Sequence, residues 1–399
     1  MTDEPIAIIG MGARFGPAAD VAALIALLRS GRDGITRGAE PVDLDGGRRT
    51  VTAWGLMSRR DAYDPYVTGF AGDPQHGALY EVLWAAVEDA GLRISEIGER
   101  TSLFAGAART RAVPRGTFDE VYPVDPTFAA THFSYLHDLW GESLMVDATC
   151  ATSLVTAHLA VQALRQDTCD YALAAGVSIH HDVDGSYTYA PRQILSPDGY
   201  CRPFDRRANG TVPGDGAGAV LLRRLGDALR DGDPIHAVIR SIAVDNDGRA
   251  KAGYTFPGIP GKVRVIRQAL DRARVDPAEL SYVECHGVGI PLNDVVETTA
   301  MAEAFGPDGG ALPIGSVKAT LGHCDAAAGV AALIKTVLSV ENGELYATPN
   351  TAEPMDGLER GRLAIVPEGR PWPDGPRLAG VMSAGIGGTN SFAVIEEIR

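Results

Sequence analysis

No apolar run in the sequence is long enough to cross a bilayer, and the first residues, MTDEPIAIIGMG, lack the basic region and cleavage site of a signal peptide. The longest apolar runs, at 21–28 and 330–333, fall far short of the ~20 residues that a transmembrane helix requires. Internal repeats, low-complexity tracts and blocks of like charge are also missing. These absences predict a globular cytoplasmic protein without a membrane partner.

An excess of positive charge is absent as well. The chain carries 36 Lys and Arg against 51 Asp and Glu, a net charge of −15. Proteins whose main partner is nucleic acid or an anionic membrane normally carry the opposite sign, so we expect neither partner.

The cysteines do not follow the paired spacing of a disulfide scaffold or a metal site. They are odd in number, and the five positions are Cys150, Cys169, Cys201, Cys285 and Cys324. This pattern predicts a reduced protein with at least one functional thiol and no bound metal.

A metal site has one alternative candidate, the cluster formed by His180, His181, Asp182 and Asp184. Adjacent histidines on a strand point to opposite faces, so two ligands from this pair are awkward. We favour a solvated loop.

The composition predicts a large α/β protein. The chain has 399 residues, 45% of them apolar, and its strand patterns alternate with helical patterns. A strand runs into a glycine turn at 5–16, where a dinucleotide-binding alternative is weak because Phe15 occupies the third glycine position. Helices are predicted at 21–29, 78–90 and 263–273. A surface excursion with one short strand at 50–54 is predicted at 32–75, and a loop at 107–127.

Cys150 lies where a predicted strand turns into a helix. The apolar run 144–146 predicts the end of a buried strand, and apolar residues recur at helical spacing from Leu154 to Leu164. Unpaired N–H groups and the positive dipole end of a helix favour a thiolate over a thiol. The alternative is a buried structural cysteine, and position alone does not decide between the two.

Two histidines and a glycine turn in the second half are further candidates. His286 ends a short apolar strand, His323 precedes a helix rich in small residues, and 383–390 reads SAGIGGTN. Each histidine taken singly is more often structural than catalytic. The glycine segment predicts either a tight hairpin or a turn that exposes backbone N–H groups to a reacting oxygen.

These blocks together resemble the β-ketoacyl synthases of the thiolase superfamily, and within them the polyketide synthase ketosynthases. The matching segments cover almost the whole chain and include VDATCATSL, ECHGVGIPLND, GSVKATLGHCDAAAG and SAGIGGTNSF. Further matches are EPIAIIGMGARF, GTVPGDGAG and VDNDGRAKAGYTFP.

The resemblance implies an α/β fold, the thiolase-like five-layered αβαβα sandwich of two similar halves. We expect residues 1–234 to form the half that carries the nucleophile, and 235–399 to form the half that carries the two histidines. It further implies a homodimer, either a discrete ketosynthase or an excised domain of a larger synthase. The partner implied is an acyl carrier protein, with a peptidyl carrier protein as a possible acyl donor. No bound cofactor is expected, because phosphopantetheine or coenzyme A carries the substrates.

The resemblance also implies residue roles. Cys150 would accept the acyl group, and the N–H groups of Cys150 and Ile386 would hold the oxyanion. His286 and His323, as neutral N–H donors, would assist decarboxylation of a malonyl-type extender. Catalytic Lys318, together with Asp325, would hold His323 and its loop. Two further residues, Thr389 and Asn390, would shape the oxyanion turn.

The chain departs from the family pattern where the pantetheine arm binds. Family threonines that bond the arm's amides are replaced by Val288 and Ile290. Asn293 also replaces a family glycine, and Ala384 replaces a phenylalanine near the acyl pocket. The predicted substrate-binding set is Val288, Ile290, Ala384, Gly387 and Gly388. We predict decarboxylative Claisen condensation. The alternatives are an acyltransferase that passes the acyl group from Cys150 without decarboxylation, and a non-catalytic partner resembling a chain-length factor.

Overall fold

A computed structural model describes residues 4–58, 60, 63, 73–109, 117, 121, 124–180 and 183–398. The strands are β1 Ile6–Phe15, β2 Thr36–Arg37, β3 Val42–Asp43, β4 Arg49–Trp54, β5 Thr101–Ala107, β6 Ser143–Met145, β7 Tyr171–Ser178, β8 Ser186–Tyr189, β9 Gly216–Arg224, β10 Ala237–Asn246, β11 Tyr282–Glu284, β12 Leu312–Gly315, β13 Glu344–Leu345, β14 Leu363–Ile365, β15 Arg370–Pro371, β16 Leu378–Ala384 and β17 Thr389–Glu396. The helices are α1 Val21–Ser30, α2 Pro74–Asp89, α3 Ile94–Ile97, α4 Ala129–His137, α5 Thr152–Arg165, α6 Leu225–Asp231, α7 Ile259–Ala273, α8 Pro291–Phe305, α9 Lys318–Leu321 and α10 Ala328–Asn342. Among these described helices, none combines the length and the apolar character that spanning a membrane takes.

Eleven strands form one hydrogen-bonded path with an internal repeat. The order is β14-β12-β11-β16-β17-β10-β1-β9-β7-β5-β6, and antiparallel β1 and β10 meet at its centre. On one side β1, β9 and β7 pair antiparallel and β7, β5 and β6 pair parallel. On the other side β10, β17 and β16 pair antiparallel and β16, β11 and β12 pair parallel. The two sets of strands therefore share one pairing pattern, as the predicted pair of similar halves requires. The exact division at residue 234 stays a prediction.

Helices cover the strands in the predicted five layers. The central helices α5 and α10 pack on each other and touch strands of both sets. Helix α2 lies outside β1, β7 and β9, whereas α7 lies outside β10 and β17 with α8 packed against it. Strand β1 shows why both faces must be apolar: Ile6 and Ile8 join the central core, while Ala7 and Ile9 join the outer core beneath α2. The central helices α5 and α10 are thereby held inside the molecule.

The predicted glycine turn at 5–16 is wrong in one respect, because β1 continues through its glycines to Phe15. A β-carbon at Gly10 would lie 2.0 Å from the carbonyl oxygen of Ala86, and one at Gly12 would lie 2.0 Å from that of Val82. These glycines therefore allow α2 to cross directly over the strand, and no phosphate-binding turn forms here.

The strand before Cys150 also differs from its prediction. β6 is the last strand of its side of the sheet, and Leu144 is 47% exposed, so the strand is an edge rather than a buried strand. The predicted helix at 21–29 is confirmed, and the helices predicted at 78–90 and 263–273 both begin earlier, at Pro74 and Ile259.

His236 joins the outer and central layers through two carboxylates. Its Nδ1 lies 2.9 Å from Glu341 on α10, and its Nε2 lies 3.0 Å from Asp89 at the end of α2. Burial lowers the pKa of His236, but the hydrogen bonds and negative charges of Asp89 and Glu341 outweigh burial and raise that pKa to about 9.

Replacing His236 by glutamine should therefore destabilise the protein in a pH-dependent way. The ion pairs contribute fully below the ordinary histidine pKa of 6.5, and their contribution is lost as the pH rises through about 9. We expect the variant to lose about 1–3 kcal/mol of unfolding free energy in mildly acidic buffer and almost nothing in alkaline buffer. Urea denaturation across this pH range measures the difference. His158→Gln is the control, because burial lowers the pKa of His158, and it should not reproduce the trend.

Candidate active site

Cys150 sits in a strained turn before the central helix α5. The short 3₁₀ segment Thr149–Ala151 precedes α5, and Thr149 adopts a left-handed φ of 53° although it is not a glycine. The amide of Thr149 donates to Asp147 Oδ1 at 2.9 Å, and the amide of Ala148 donates to Thr152 Oγ1 at 2.8 Å. The turn is therefore fixed on both sides of the cysteine, as the predicted strand–helix junction requires.

The protonation state of Cys150 differs from the prediction. Burial, followed by the charge of Asp325, raises the pKa of the thiol to about 12, although Lys318 and the amide of Ile386 act in the opposite direction. Only 9% of Cys150 is exposed, so loss of hydration outweighs the favourable end of the helix. The resting side chain is a thiol that must lose its proton before it can attack.

His286 approaches Cys150 from the loop after β11. Its Nδ1 accepts the amide hydrogen of Ala384 at 3.3 Å, so Nε2 carries the proton of the neutral ring. Burial, together with the charges of Lys318, His323 and Lys262, places the pKa of His286 well below 6.5. The ring is a neutral N–H donor, as predicted.

His323 has the same chemical form in the other histidine loop. Its Nδ1 accepts the amide hydrogen of Asp325 at 3.0 Å, and its own backbone pairs with residues 212–214. Burial and the charge of Lys318 lower the pKa of His323 to about 3. The two rings lie 5.9 Å apart between centroids and meet edge to face at 84°. Two neutral donors therefore converge beside the thiol.

Lys318 contacts a different partner from the one predicted. Its buried ammonium group donates to the backbone carbonyl of His286 at 2.6 Å, rather than to the His323 loop. Its charge nevertheless lowers the pKa of both histidines. Lys318 therefore fixes the backbone of His286 and adds to the effect of burial that keeps both rings neutral.

Two buried carboxylates of α8, neither of them among the predicted site residues, hold the His286 loop. Glu297 accepts the amides of His286 and Gly287 at 2.7 and 2.8 Å, and Asp294 accepts the amide of Val288 at 3.2 Å. Both residues lie on the buried stripe of α8. An acidic residue on an otherwise apolar stripe was the signal that could have revealed them.

The glycine segment forms a hairpin that approaches the nucleophile closely. The amide of Gly385 donates to the carbonyl of Thr389, and the amide of Ile386 bonds the Cys150 sulfur. A β-carbon at Gly385 would lie 2.3 Å from the carbonyl oxygen of Ala148, so only glycine permits this approach. The segment is therefore the predicted tight hairpin, and its role towards a reacting oxygen stays a prediction.

A third unpredicted residue, Lys262, secures the base of this hairpin. Its Nζ donates to Asn390 Oδ1 at 2.7 Å, and Asn390 Nδ2 donates to Asp247 Oδ1 at 2.8 Å and to the Gly388 carbonyl at 3.1 Å. Lys262 is 4% exposed, and burial lowers its pKa although Glu297 and Asp247 raise it. It occupies the apolar stripe of α7, which was the signal available in the sequence.

These elements enclose a cavity of about 550 Å³. The predicted residues that line it are Cys150, His286, His323, Val288, Ile290, Ala384, Ile386, Gly387, Gly388 and Asn390. Asn293, Glu297 and Lys262 also line it, whereas Lys318, Asp325 and Thr389 support it from behind. Cavities of about 750 Å³ beside Asp89 and about 700 Å³ beside Tyr346 contain none of the predicted site residues.

The alternative metal cluster does not take part in this site. His180 Nδ1 lies 3.4 Å from the buried carboxylate of Asp215, and its ring packs edge to face on Trp54. His181 and Asp182 lie outside the described residues. Within the described part of the chain, no group of three or more His, Cys, Asp or Glu side chains has the arrangement of a metal site. All five cysteines are free and buried.

Comparisons with known proteins agree on one family. The family model "Beta-ketoacyl synthase, N-terminal domain" matches residues 3–228, and "Beta-ketoacyl synthase, C-terminal domain" matches residues 236–352. The chain is 39% identical to polyketide synthase GfsE of Streptomyces halstedii over 99% of its own length, which is 11% of that protein. It is 36% identical to a phenolphthiocerol/phthiocerol polyketide synthase of Mycobacterium tuberculosis over 99% of its length, which is 29% of that protein. The chain therefore spans a small part of these curated relatives.

Solved structures resemble the chain over its whole length. Ketosynthase twelve of the bacillaene polyketide synthase from Bacillus amyloliquefaciens matches with a TM-score of 0.92 and 30% identity, covering 100% of this chain and 74% of that one. The ketosynthase from module 1 of the bacillaene synthase of the same species matches with a TM-score of 0.90 and 32% identity, covering 99% and 76% of the two chains.

Proposed function

The chain belongs to the β-ketoacyl synthase family, and on that premise we propose that it joins an acyl group on Cys150 to a malonyl-type thioester by decarboxylative Claisen condensation. The observation that carries the proposal is one cavity in which the Cys150 thiol meets two neutral imidazoles whose Nδ1 atoms already accept backbone hydrogens. This is the donor set that an enolate needs, built beside a nucleophile.

In the first half-reaction, Cys150 attacks the carbonyl carbon of an acyl thioester. A bond forms between Sγ and that carbon, and the donor thiol leaves after the tetrahedral intermediate collapses. The amide of Ile386 is aimed at Sγ, so it stands close to the developing oxyanion; the amide of Cys150 is its proposed companion. The hydrogen bonds of Gly385 and Asn390 hold the hairpin in place for this step.

In the second half-reaction, the malonyl-type thioester loses carbon dioxide. Its thioester oxygen becomes an enolate oxygen, which the Nε2–H groups of His286 and His323 stabilise. The enolate carbon then attacks the acyl group on Cys150 and releases the Cys150 sulfur. Neutral rings suit this role because they remain donors at any pH where the enzyme works, and the low pKa values of both histidines support that state.

The proposed partners follow from the same reaction. An acyl carrier protein would present the extender, and a carrier protein or coenzyme A would present the acyl group. We also propose a homodimer and a reducing, cytoplasmic location, the latter supported by five free cysteines.

The proposed function is tested by incubating the protein with an acyl donor and a malonyl-loaded carrier. Intact mass should show an acyl adduct on wild type and none on Cys150→Ser, and released carbon dioxide should accompany a β-ketoacyl carrier product. Acylation without carbon dioxide or elongation would contradict condensation and favour the acyltransferase. Failure of acylation with every donor would favour a non-catalytic partner.

The wall formed by Val288 and Ile290 gives a prediction about affinity for the carrier arm. Neither side chain can bond an amide, and both line the cavity beside Asn293. Replacing both by threonine should lower KM for the malonyl-carrier by about tenfold with little change in kcat, because new hydrogen bonds to the arm add binding in ground and transition states alike.

Steady-state kinetics with the malonyl-carrier measures this split between KM and kcat. Leu292→Thr/Val295→Thr is the matched control, since both residues are exposed on α8 and do not line the cavity. An unchanged KM in Val288→Thr/Ile290→Thr would show that the arm does not contact this wall.

A further inference from the structure

The Cys150 thiol has one hydrogen-bond acceptor within the described residues. Sγ donates to Asp325 Oδ1 over 3.6 Å, a normal length for a sulfur donor. The sulfur also receives the amide hydrogen of Ile386, which favours negative charge on it. The thiol proton therefore points at a carboxylate rather than at an imidazole.

Neither histidine is in a form that can take this proton. The Nδ1 atoms of His286 and His323 accept the amide hydrogens of Ala384 and Asp325, and each neutral ring carries its proton on Nε2. An imidazole can act as a base only through an unprotonated nitrogen with a free lone pair. The same tautomers that equip both rings to hold an enolate leave them unable to deprotonate Cys150.

Asp325 is fixed in a position that suits the task. It opens the 3₁₀ turn Asp325–Ala327 ahead of α10, with a strained φ of 39°, and this turn packs against the one that carries Cys150. The amide of Asp325 donates a hydrogen bond to His323 Nδ1, which anchors its backbone. The carboxylate of Asp325 remains directed at the Cys150 thiol.

The electrostatic setting of Asp325 supports proton transfer. Burial raises the pKa of Asp325, whereas its hydrogen bond with Cys150 and the charges of His180 and Arg109 lower it and that of Asp147 raises it. The balance is a carboxyl group with a pKa above its usual range, and a more basic carboxylate is a better acceptor for a thiol proton.

We propose that Asp325 is the general base that deprotonates Cys150 in the acylation step, an inference that rests on the proposed function. The proton moves from Sγ to Asp325 Oδ1 as Sγ forms its bond to the acyl carbon. When the tetrahedral intermediate collapses, the bond between that carbon and the donor sulfur breaks, and the departing thiolate takes the proton from Asp325. The carboxylate is thereby restored, and the carrier leaves as a thiol.

The test is the single-turnover rate of Cys150 acylation by an acyl-pantetheine thioester, followed by quenched-flow intact mass in wild type and Asp325→Asn. Loss of the base should slow acylation by about 100-fold at neutral pH, and the remaining rate should rise in proportion to hydroxide. A purely electrostatic role predicts the reverse. Removing the negative charge beside the thiol would lower its pKa and leave acylation unchanged or faster, and that result would overturn the proposal.

Two further measurements keep the outcome interpretable. Asp325→Glu retains a carboxylate and should acylate Cys150 at least tenfold faster than Asp325→Asn does. An acylation rate in Asp325→Glu no higher than that in Asp325→Asn would count against a general base. Release of carbon dioxide from malonyl-pantetheine by wild type is the second measurement, because that step needs the histidines and not the thiolate, so it reports on the proposed function independently of acylation. If wild type itself neither acylates nor decarboxylates, the proposed function fails, whereas normal acylation in Asp325→Asn defeats only the present inference.

Discussion

Replacing His286 by alanine is expected to lower the rate of carbon dioxide release by about 10²–10³-fold while acylation of Cys150 stays within about tenfold of wild type. The physical reason is that different groups in the cavity act in the two half-reactions. The His286 Nε2–H serves an enolate that exists only after decarboxylation begins, whereas acylation uses the thiol, Asp325 and the Ile386 amide. Intact mass measures the first half-reaction, and carbon dioxide from a malonyl-carrier measures the second.

His286→Gln is the matched variant, because its carboxamide keeps an N–H donor of similar reach. It should recover part of the decarboxylation rate. In wild type, the pH dependence of decarboxylation should show no titration of His286, since burial and neighbouring cations keep the pKa of His286 well below 6.5. Equal loss of acylation and decarboxylation in His286→Ala would contradict separate roles and indicate that His286 serves the nucleophile.

Cys150 shows which properties of the site can be predicted from the sequence and which cannot. A strand–helix junction at Cys150 follows from hydrophobic spacing, because that spacing is a local property. The thiol's protonation state does not follow, since it depends on burial and on Asp325, which lies 175 positions away. The helix end that predicts a thiolate is present, but the loss of hydration is the larger effect.

The same distinction between local properties and distant contacts applies to the residues that support the site. Family resemblance correctly indicated a cavity shared by His286, His323 and the glycine hairpin. It did not indicate the partner of the Lys318 ammonium group, because only the folded chain shows that this group reaches the His286 carbonyl. Lys262 and Glu297 were missed although both interrupt an apolar stripe, since a charge on a stripe does not reveal which distant partner neutralises it.

The glycines of β1 show another limit of prediction from the sequence. Its glycines predict a turn if read locally, yet they serve the close crossing of α2, a contact between segments about 70 residues apart. Close packing of this sort depends on the neighbouring element and leaves no periodic trace in the strand itself.

Replacing Lys335 by methionine is expected to cost about 3–5 kcal/mol of unfolding free energy, the largest stability effect predicted for the chain. Lys335 on α10 pairs with Glu284 at the end of β11 over 2.7 Å, and both side chains are fully buried. The same carboxylate accepts the hydroxyl of Tyr282 and the amide of Val317, each at 2.6 Å. Loss of the ammonium group would leave Glu284 as an unpaired charge inside the core.

Urea denaturation of three variants distinguishes the cost of an unpaired buried carboxylate from the loss of the attraction between Lys335 and Glu284. Glu284→Gln/Lys335→Met removes both charges and should recover at least half of the lost stability, because most of the cost arises from the stranded carboxylate rather than from the missing attraction. Arg29→Met is the surface control. Arg29 and Glu344 lie 2.8 Å apart, but their side chains are 49% and 36% exposed, so the unfolding midpoint should stay within error of wild type. Glu284 holds the amide of Val317, the residue before Lys318, and Lys318 holds the carbonyl of His286. Because the ion pair thus supports the His286 loop, Lys335→Met should also slow decarboxylation at temperatures where the variant remains folded. A Lys335→Met variant as stable as wild type would mean that water or a shifted side chain solvates Glu284, and the core around the His286 loop would then be less rigid than this ion pair indicates.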